Sequence, residues 1–273
     1  MAVTLPDEVL RRYPRFSLYN SPYPAHDRGC AIDLYPTAGA PSPVSGEVID
    51  TRTVRAPPKP YAPENDHLIL IDCGEYVARI LHVDPAVSAG DRIEIGDSLG
   101  EPVRAGFFAP WVGNHIHLGF RDADANPYRA SGSLPIEIET EVDPVEWDGT
   151  GRVREVGETF VVLDSPAHPA PGDRFAGIAD DSGKSALDGG LSHYDGGGAL
   201  AGASGPIELL GETVGIADGR DVAWNPVRVF VNGEAITGIS LFAGRETLGA
   251  KLVRPDHEFS VGERVEVGIR ASR

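Results

Sequence analysis

The stretch from residue 67 to residue 100, HLILIDCGEYVARILHVDPAVSAGDRIEIGDSLG, indicates the fold class. Apolar runs at 67–72, 76–83 and 91–95 are short and rich in β-branched residues, as is typical of strands. Gly-Asp pairs and a closing glycine punctuate the end of this stretch at hairpin spacing. The stretch therefore predicts a turn-rich β structure.

The same alternation of short apolar runs and turn signals continues on both sides of this stretch. Further strands are predicted at residues 30–35, 43–52, 115–120, 159–163, 227–231, 235–242 and 265–269. An Asn-Gly pair at 232–233 predicts a hairpin. The chain is thus expected to be all-β, with a domain over residues 1–147 and a second β-rich domain over residues 148–273.

Three segments depart from the strand pattern. The proline-rich residues 56–63 cannot form regular structure and predict an insertion between two strands. Residues 7–13 are the one reasonable helix candidate, and it is short. The glycine-rich residues 188–198 lack the glycine spacing of a phosphate-binding loop and follow no clear strand, so they predict a flexible loop.

Composition and charge exclude several classes of function. The 273 residues carry 41 acidic against 24 basic side chains, a formal charge of −17 with no basic cluster, so neither nucleic acid nor an anionic membrane is an expected partner. No apolar run approaches the ~18 residues of a membrane-spanning helix, and no secretory signal opens the sequence. We therefore expect a cytoplasmic protein.

The basic residues are almost all arginine, since only three are lysine. An acidic, lysine-poor composition is typical of proteins adapted to a salt-rich cytoplasm, and an ordinary acidic cytosolic protein is the alternative. Two cysteines, Cys30 and Cys73, form no CxxC pair and give no disulfide framework. Much of the negative charge is then explained by adaptation to a salt-rich solvent, and it does not indicate a cation-binding surface.

Candidate chemistry centres on His115-Ile116-His117, because alternate residues of a strand share a face. One His-x-His is weak by itself, and two solvated histidines on an edge strand would explain it equally well. Upstream stand AIDLYP at 31–36, GAPSPVSGEV at 39–48, YVARILHV at 76–83 and a Gly-Asp block at 90–100. In this order and spacing, residues 24–130 resemble the lysostaphin-type zinc metallopeptidases.

The resemblance implies a duplicated hybrid motif fold, a largely antiparallel β-sandwich with a groove, and a catalytic Zn²⁺ with three protein ligands. Transferred by position, Asp33 and His117 become metal ligands, and His82 and His115 become the catalytic pair that flanks the metal-bound water. The Gly-Asp block also fits biotinyl or lipoyl carriers. A carrier needs a lysine at the hairpin tip, however, and residues 90–100 contain none.

The sequence departs from the family pattern at the first ligand, where Gly29 stands in place of a histidine. The nearest histidine is His26, seven residues before Asp33, and an odd spacing on an unbroken strand puts the two side chains on opposite faces. His26 reaches the metal only if residues 27–29 form a turn or bulge, which glycine at positive φ allows. Asp27 is the alternative ligand, and loss of the metal site is the third possibility.

Other candidates are weaker. His168, His193 and His257 have no partner pattern, and His67 opens a buried strand. An aromatic run that ends at Trp111 fits a groove wall or a plug in the core equally well. The leading interpretation is a zinc-dependent peptide or amide hydrolase. The alternative is a degenerate member that binds a peptide or protein partner in the groove. In the absence of an export signal, the peptidoglycan substrate of the resembled family is not expected.

Overall fold

A computed structural model describes residues 2–272 of the chain. The contacts divide it into two compact units. The first comprises the residues up to Phe16 together with Cys30–Thr140, and the second comprises Ser17–Gly29 and the residues from Glu141 onward. Both units are built almost wholly of strands, so the predicted all-β class with two β-rich domains is confirmed.

Among its described residues, the first unit contains one short helix and eleven strands. The helix α1 spans Asp7–Leu10, and the strands are β1 (Val3–Leu5), β2 (Arg15–Ser17), β3 (Ala31–Tyr35), β4 (Gly46–Arg55), β5 (Asn65–Asp72), β6 (Tyr76–Leu81), β7 (Val83–Pro85), β8 (Arg92–Ile93), β9 (Gly100–Pro102), β10 (Ile116–Asp122) and β11 (Ile136–Ile138). Its main sheet has the order β2-β3-β10-β6-β5-β4-β8. Two small pairs, parallel β1-β11 and antiparallel β7-β9, accompany it.

Alternation along the central strands gives this sheet two different faces. One face is apolar and fully buried, with Ile32 and Leu34 from β3, and Ile116, Leu118 and Phe120 from β10. The side chains between them in sequence point to the other face, since successive strand residues alternate. On β3 and β10 those intervening residues include the candidate ligands, so the apolar core orients the polar groups.

The part of the second unit that the structure describes contains thirteen strands. They are β12 (Val142–Val145), β13 (Thr150–Val156), β14 (Phe160–Leu163), β15 (Phe175–Ile178), β16 (Leu187–Leu191), β17 (Gly196–Leu209), β18 (Glu212–Trp224), β19 (Val227–Val231), β20 (Glu234–Ala235), β21 (Gly238–Leu241), β22 (Ala243–Gly244), β23 (Lys251–Val253) and β24 (Arg264–Ala271). Ten of them form one antiparallel sheet, β18-β17-β16-β21-β23-β14-β13-β24-β19-β20. A continuous core that includes Trp147, Leu187, Val229 and Leu252 lies against this sheet.

Several local predictions are confirmed. Residues 56–63 lie outside regular structure between β4 and β5. Asn232 and Gly233 both have positive φ, 51° and 86°, and join β19 to β20 as the predicted hairpin. Both central residues of such a tight turn need this conformation.

Three local predictions are wrong or inexact. The helix stops at Leu10 rather than at residue 13, because Pro14 follows and cannot continue it. The strand predicted at 235–242 is two short strands, β20 and β21. The glycine-rich stretch is not a loop, because β16 and the start of β17 pair within it, with Asp188 opposite Gly198 and Gly189 opposite Gly197. A methyl group at Gly198 would lie 2.3 Å from the Tyr19 ring, so these glycines permit close packing.

No helix among residues 2–272 has the length and apolar character needed to cross a bilayer.

Candidate metal centre

The centre is built on two neighbouring strands, β3 and β10, that come from distant parts of the sequence. Their antiparallel register places Asp33 directly opposite His117. Directly opposite residues share a face and have adjacent Cβ atoms. Oδ1 of Asp33 lies 2.9 Å from Nδ1 of His117, although 84 residues separate them. Asp33 is almost fully buried, and His117 retains some exposure.

His26 approaches this pair from a turn that precedes β3. Residues 24–29 are in turns, and Gly29 has a φ of 56°, a conformation that costs other residues more than it costs glycine. A methyl group at Gly29 would also lie 2.9 Å from the Tyr19 hydroxyl. His26 is 1% exposed, and its Nδ1 lies 2.7 Å from the carbonyl oxygen of Leu18. This contact puts the proton on Nδ1 and leaves Nε2 as an acceptor.

His26, Asp33 and His117 form a group of potential metal ligands. Each offers one nitrogen or oxygen, and the three atoms lie within 4.8 Å of one another. Among residues 2–272 no other group of three histidines, cysteines or carboxylates meets this condition. Two imidazoles and one carboxylate are a donor set that zinc accepts, so the residues present fit that metal. Asp27, the alternative ligand, is exposed and outside the group.

His115 lies just before β10 and packs beside the ligand group. Its side chain is 2% exposed, and Nε2 lies 3.5 Å from Oδ1 of Asp33. Nδ1 lies 2.9 Å from the carbonyl oxygen of Gly113, which again leaves Nε2 without a proton. Burial lowers the pKa of His115 to about 4, so the ring is neutral at pH 7.

His82 lies between β6 and β7 and has a φ of 68°, which is uncommon for a residue with a Cβ. Asp66 holds it there. Oδ2 of Asp66 lies 2.6 Å from Nδ1 of His82, and Oδ1 accepts the backbone N–H of His82 at 3.1 Å and of His67 at 2.8 Å. The His82 ring lies 5.0 Å from that of His115 and 5.7 Å from that of His117. The five predicted site residues are therefore brought together.

Asp66 is the residue that the sequence analysis missed. It is fully buried, and the strand predicted to begin at residue 67 begins at Asn65, so Asp66 lies inside β5. The sequence feature that could have indicated it is an aspartate immediately before the apolar run at 67–72. A buried carboxylate requires hydrogen-bond donors, and here one of them is the candidate catalytic ring.

The loop over residues 103–115, between β9 and β10, carries several aromatic residues and lies against one side of the centre. The Phe108 ring lies 5.2 Å from His82 and 4.8 Å from His115. Arg104 fixes the loop, since its guanidinium donates to the carbonyl oxygens of Val112, Ala109 and Pro110. Phe108 is also a member of a small buried apolar cluster, as expected for a plug in the core, and its use as a groove wall for substrate stays a prediction.

The remaining histidines lie elsewhere. Nε2 of His67 is 3.6 Å from a carboxylate oxygen of Asp84, His168 contacts the carbonyl of Gly244, and His257 contacts that of Gly157. Burial lowers the pKa of His193 to about 4, and the neighbouring charge of Lys251 adds to the effect. None of the four belongs to the ligand group.

Comparison with known families assigns both halves of the chain. The profile of the N-terminal domain of "Domain of unknown function (DUF8155)" matches residues 4–138, and that of the C-terminal domain matches residues 143–270. The chain belongs to the DUF8155 family. The metal-ligand group thus lies within the DUF8155 N-terminal domain. No curated protein sequence matches the chain.

Among solved structures, the NMR solution structure of lysostaphin is similar to this chain. The likeness covers 94% of this chain and 88% of that chain, with 12% identity and a TM-score of 0.29. A TM-score that low carries no inference about fold or activity. The lysostaphin-type sandwich inferred from the motifs stays a prediction.

Proposed function

We propose that the DUF8155 N-terminal domain is a zinc-dependent hydrolase of peptide or amide bonds. The observation that carries this proposal is the group His26, Asp33 and His117, whose donor atoms lie within 4.8 Å of one another. Three protein ligands that leave a fourth position open are typical of catalytic rather than structural zinc.

Each ligand has a defined role in the proposed site. His26 offers Nε2, because Nδ1 is held by the Leu18 carbonyl, and the same contact orients the ring. His117 offers Nδ1 and Asp33 offers Oδ1, the two atoms that share a hydrogen bond at 2.9 Å. With zinc on Nδ1 of His117, the ring would carry its one proton on Nε2. Protonation of the imidazoles or the carboxylate would compete with zinc, so zinc affinity should fall as the pH falls.

When bound, zinc would supply a water with a pKa near 7 and would polarise the scissile carbonyl. The other two histidines would handle protons. Nε2 of His115 is an unprotonated acceptor beside Asp33, which suits a group that accepts a hydrogen bond from the attacking water and orients it. His82 has its Nδ1 on Asp66, so Nε2 is the nitrogen left to contact a substrate or the leaving group. The buried carboxylate keeps that ring in one orientation.

Zinc content is the first test. The purified full-length protein, dialysed against zinc at working salt, should contain about one zinc per chain by elemental analysis. His26→Ala should lose stoichiometric zinc, whereas Asp27→Ala, an exposed neighbour in the same turn, should keep it. If His26→Ala retains zinc and Asp27→Ala loses it, the third ligand is Asp27 rather than His26.

Turnover is the second test. The zinc-loaded protein, incubated with a mixed peptide library, should release new amino termini detectable by mass spectrometry. His115→Ala and His82→Ala should abolish this release while they retain zinc. Absence of zinc in the wild type would refute the hydrolase proposal.

One observation favours the alternative, a non-catalytic member that binds a peptide or protein partner. His82 and His115 are only 6% and 2% exposed, and Phe108 packs on both rings. A catalytic pair needs access to substrate, so the aromatic loop must move for turnover to occur. Stoichiometric zinc without any cleavage, including in a Phe108→Ala variant, would support the alternative.

A further inference from the structure

Residues 104–112, called the flap here, cover the two histidines of the candidate catalytic pair. The flap runs between β9 and β10 outside regular structure. Within it, Phe108 packs on the rings of both His82 and His115, which are almost fully buried. A peptide cannot contact the faces of the rings that Phe108 covers until the flap moves.

The flap is held together by contacts that lie within it. The guanidinium of Arg104 donates to three carbonyl oxygens of residues 109–112, so one side chain links both ends of the segment. Ala105, Phe108 and Val112 form a small buried apolar cluster on the same segment. Because both sets of contacts belong to the flap, the segment can swing as one body and keep them.

The two ends of the flap differ in how they are attached. Before the first end, the backbone N–H of Val103 donates to the carbonyl oxygen of His82 at 2.7 Å and fixes the chain there. Directly after the second end comes Gly113, where the nearest atom to an added methyl group would be 3.6 Å away. Glycine with free space around it absorbs a large backbone rotation at little cost, so Gly113 suits a hinge.

Tyr61 connects the flap to the proline-rich residues 56–63. Its hydroxyl donates to the carbonyl oxygen of Phe108 at 3.1 Å, and the Arg104 guanidinium lies 5.1 Å from the centre of its ring. One neutral hydrogen bond shifts an equilibrium by about two- to tenfold. This contact therefore favours the closed position of the flap without making it permanent.

The backbones of the two segments also fit closely against each other. A methyl group at Gly106 of the flap would lie 2.0 Å from the carbonyl oxygen of Pro57 and 3.5 Å from the Cβ atom of Ala56. Such an approach is possible only where the flap has no side chain. Any larger residue at position 106 would push the flap away from the proline-rich segment.

We propose that the flap regulates access to the metal centre and that Tyr61 is the latch that holds it closed. The consequence for catalysis rests on the proposed hydrolase function, which requires a peptide at His82 and His115. A peptide binds the open state, so its apparent affinity is reduced in proportion to the fraction of molecules that are open. Weakening the latch raises that fraction.

The reactivity of His115 towards diethyl pyrocarbonate measures the open fraction. The reagent acylates unprotonated imidazole nitrogens, and Nε2 of His115 is one, because Nδ1 is held by the Gly113 carbonyl. The full-length protein is treated at pH 7 in chelator, and the label on each histidine is quantified by peptide mass spectrometry. In the wild type, His115 should react much more slowly than His67, whose side chain is 21% exposed.

Tyr61→Phe removes the latch hydroxyl and keeps the ring over Arg104. The rate at His115 should rise about two- to tenfold, while the rate at His67 stays unchanged. Tyr128→Phe is the matched control, since it removes a hydroxyl that donates to Asp50 at 2.8 Å in the same unit, and it should leave both rates unchanged.

Gly106→Ala is a second, independent way to open the flap, and it should raise the His115 rate further than Tyr61→Phe does. Unchanged reactivity of His115 in both variants would overturn the proposal. An equal increase at His115 and His67 would also overturn it, because that pattern reports loosening of the whole unit. The same holds if His115 of the wild type already reacts as fast as His67.

The two proposals fail separately, because the modification is measured without metal and without turnover. If the protein binds no zinc but Tyr61→Phe exposes His115, the hydrolase proposal is refuted and the flap remains. If the zinc-loaded protein cleaves peptides, and Tyr61→Phe exposes His115 without raising the rate of cleavage, the hydrolase proposal stands and the regulatory role of the flap is refuted.

Discussion

Two buried carboxylates, one in each unit, have contrasting neighbours. Asp188 in the second unit accepts from the Ser17 hydroxyl at 2.5 Å and from the backbone N–H groups of Leu18 and Tyr19 at 2.6 and 3.3 Å. Asp33 in the first unit lies instead beside imidazole nitrogens, at 2.9 Å from His117 and 3.5 Å from His115. Toward Asp188, the hydroxyl and backbone N–H groups act only as hydrogen-bond donors. The imidazoles beside Asp33 can also lose a ring proton and bind a metal ion.

The contrast separates a carboxylate that stabilises the fold from one positioned for chemistry. Both are hydrogen-bonded and almost fully buried, so burial alone does not distinguish them. The chemical type of the neighbours does, because a metal site needs several donors that can all lose a proton.

The largest effect should come from zinc at Asp33. Zinc at 1,000 times its dissociation constant should stabilise the wild type by about 4 kcal/mol, since it binds the folded state alone. Asp33→Ala should lose this increment entirely. Without zinc, Asp33→Ala should change the unfolding free energy by less than about 1 kcal/mol, because imidazoles tolerate loss of the acid better than backbone donors do. Denaturant unfolding with zinc and with a chelator measures both quantities.

Asp188→Ala should show the opposite behaviour. It leaves three buried donors without their acceptor, which should cost about 3 kcal/mol whether or not zinc is present. The exposed Asp218→Ala is the control and should change stability by less than about 0.5 kcal/mol. Equal losses for Asp33→Ala and Asp188→Ala in chelator would remove the distinction between the two carboxylates.

A third effect concerns His193, a buried histidine that does not belong to the metal centre. The nitrogens of His193 are shielded from solvent, and its folded pKa of about 4 lies below the unfolded value near 6.5. The unfolded state therefore takes up the proton first as the pH falls, so stability should decline from about pH 6.5 and level off below pH 4. Between pH 7 and 4.5 we expect this residue to lower the free energy of unfolding by about 2 kcal/mol. Unfolding free energies at pH 7 and 4.5 should differ less in His193→Gln than in the wild type.

The sequence predicts which residues lie on the polar face of the first unit better than it predicts the residues that contact and orient them. The spacing of Asp33, His115 and His117 follows from strand alternation, and alternation is local information. Asp66 gains its significance only from the pairing of β5 with β6, which brings it to His82 and which sequence periodicity does not specify. The prediction of a loop over residues 188–198 is wrong for a related reason, since a glycine in a loop and a glycine packed against an aromatic ring look identical in sequence.

The smallest effect tests the turn that brings His26 to the centre. Gly29→Ala places a Cβ at a φ of 56° and 2.9 Å from the Tyr19 hydroxyl, so it should cost about 1–2 kcal/mol. Gly219→Ala is the matched control, since Gly219 has a φ of 65° and no atom within 4 Å of an added methyl. Both variants should lower the free energy of unfolding, because each places a Cβ in the left-handed region. Only Gly29→Ala should also displace His26 and weaken zinc binding. If the two variants lose stability equally and both keep wild-type zinc affinity, the turn does not position His26, and the seven-residue spacing to Asp33 has no role in the metal centre.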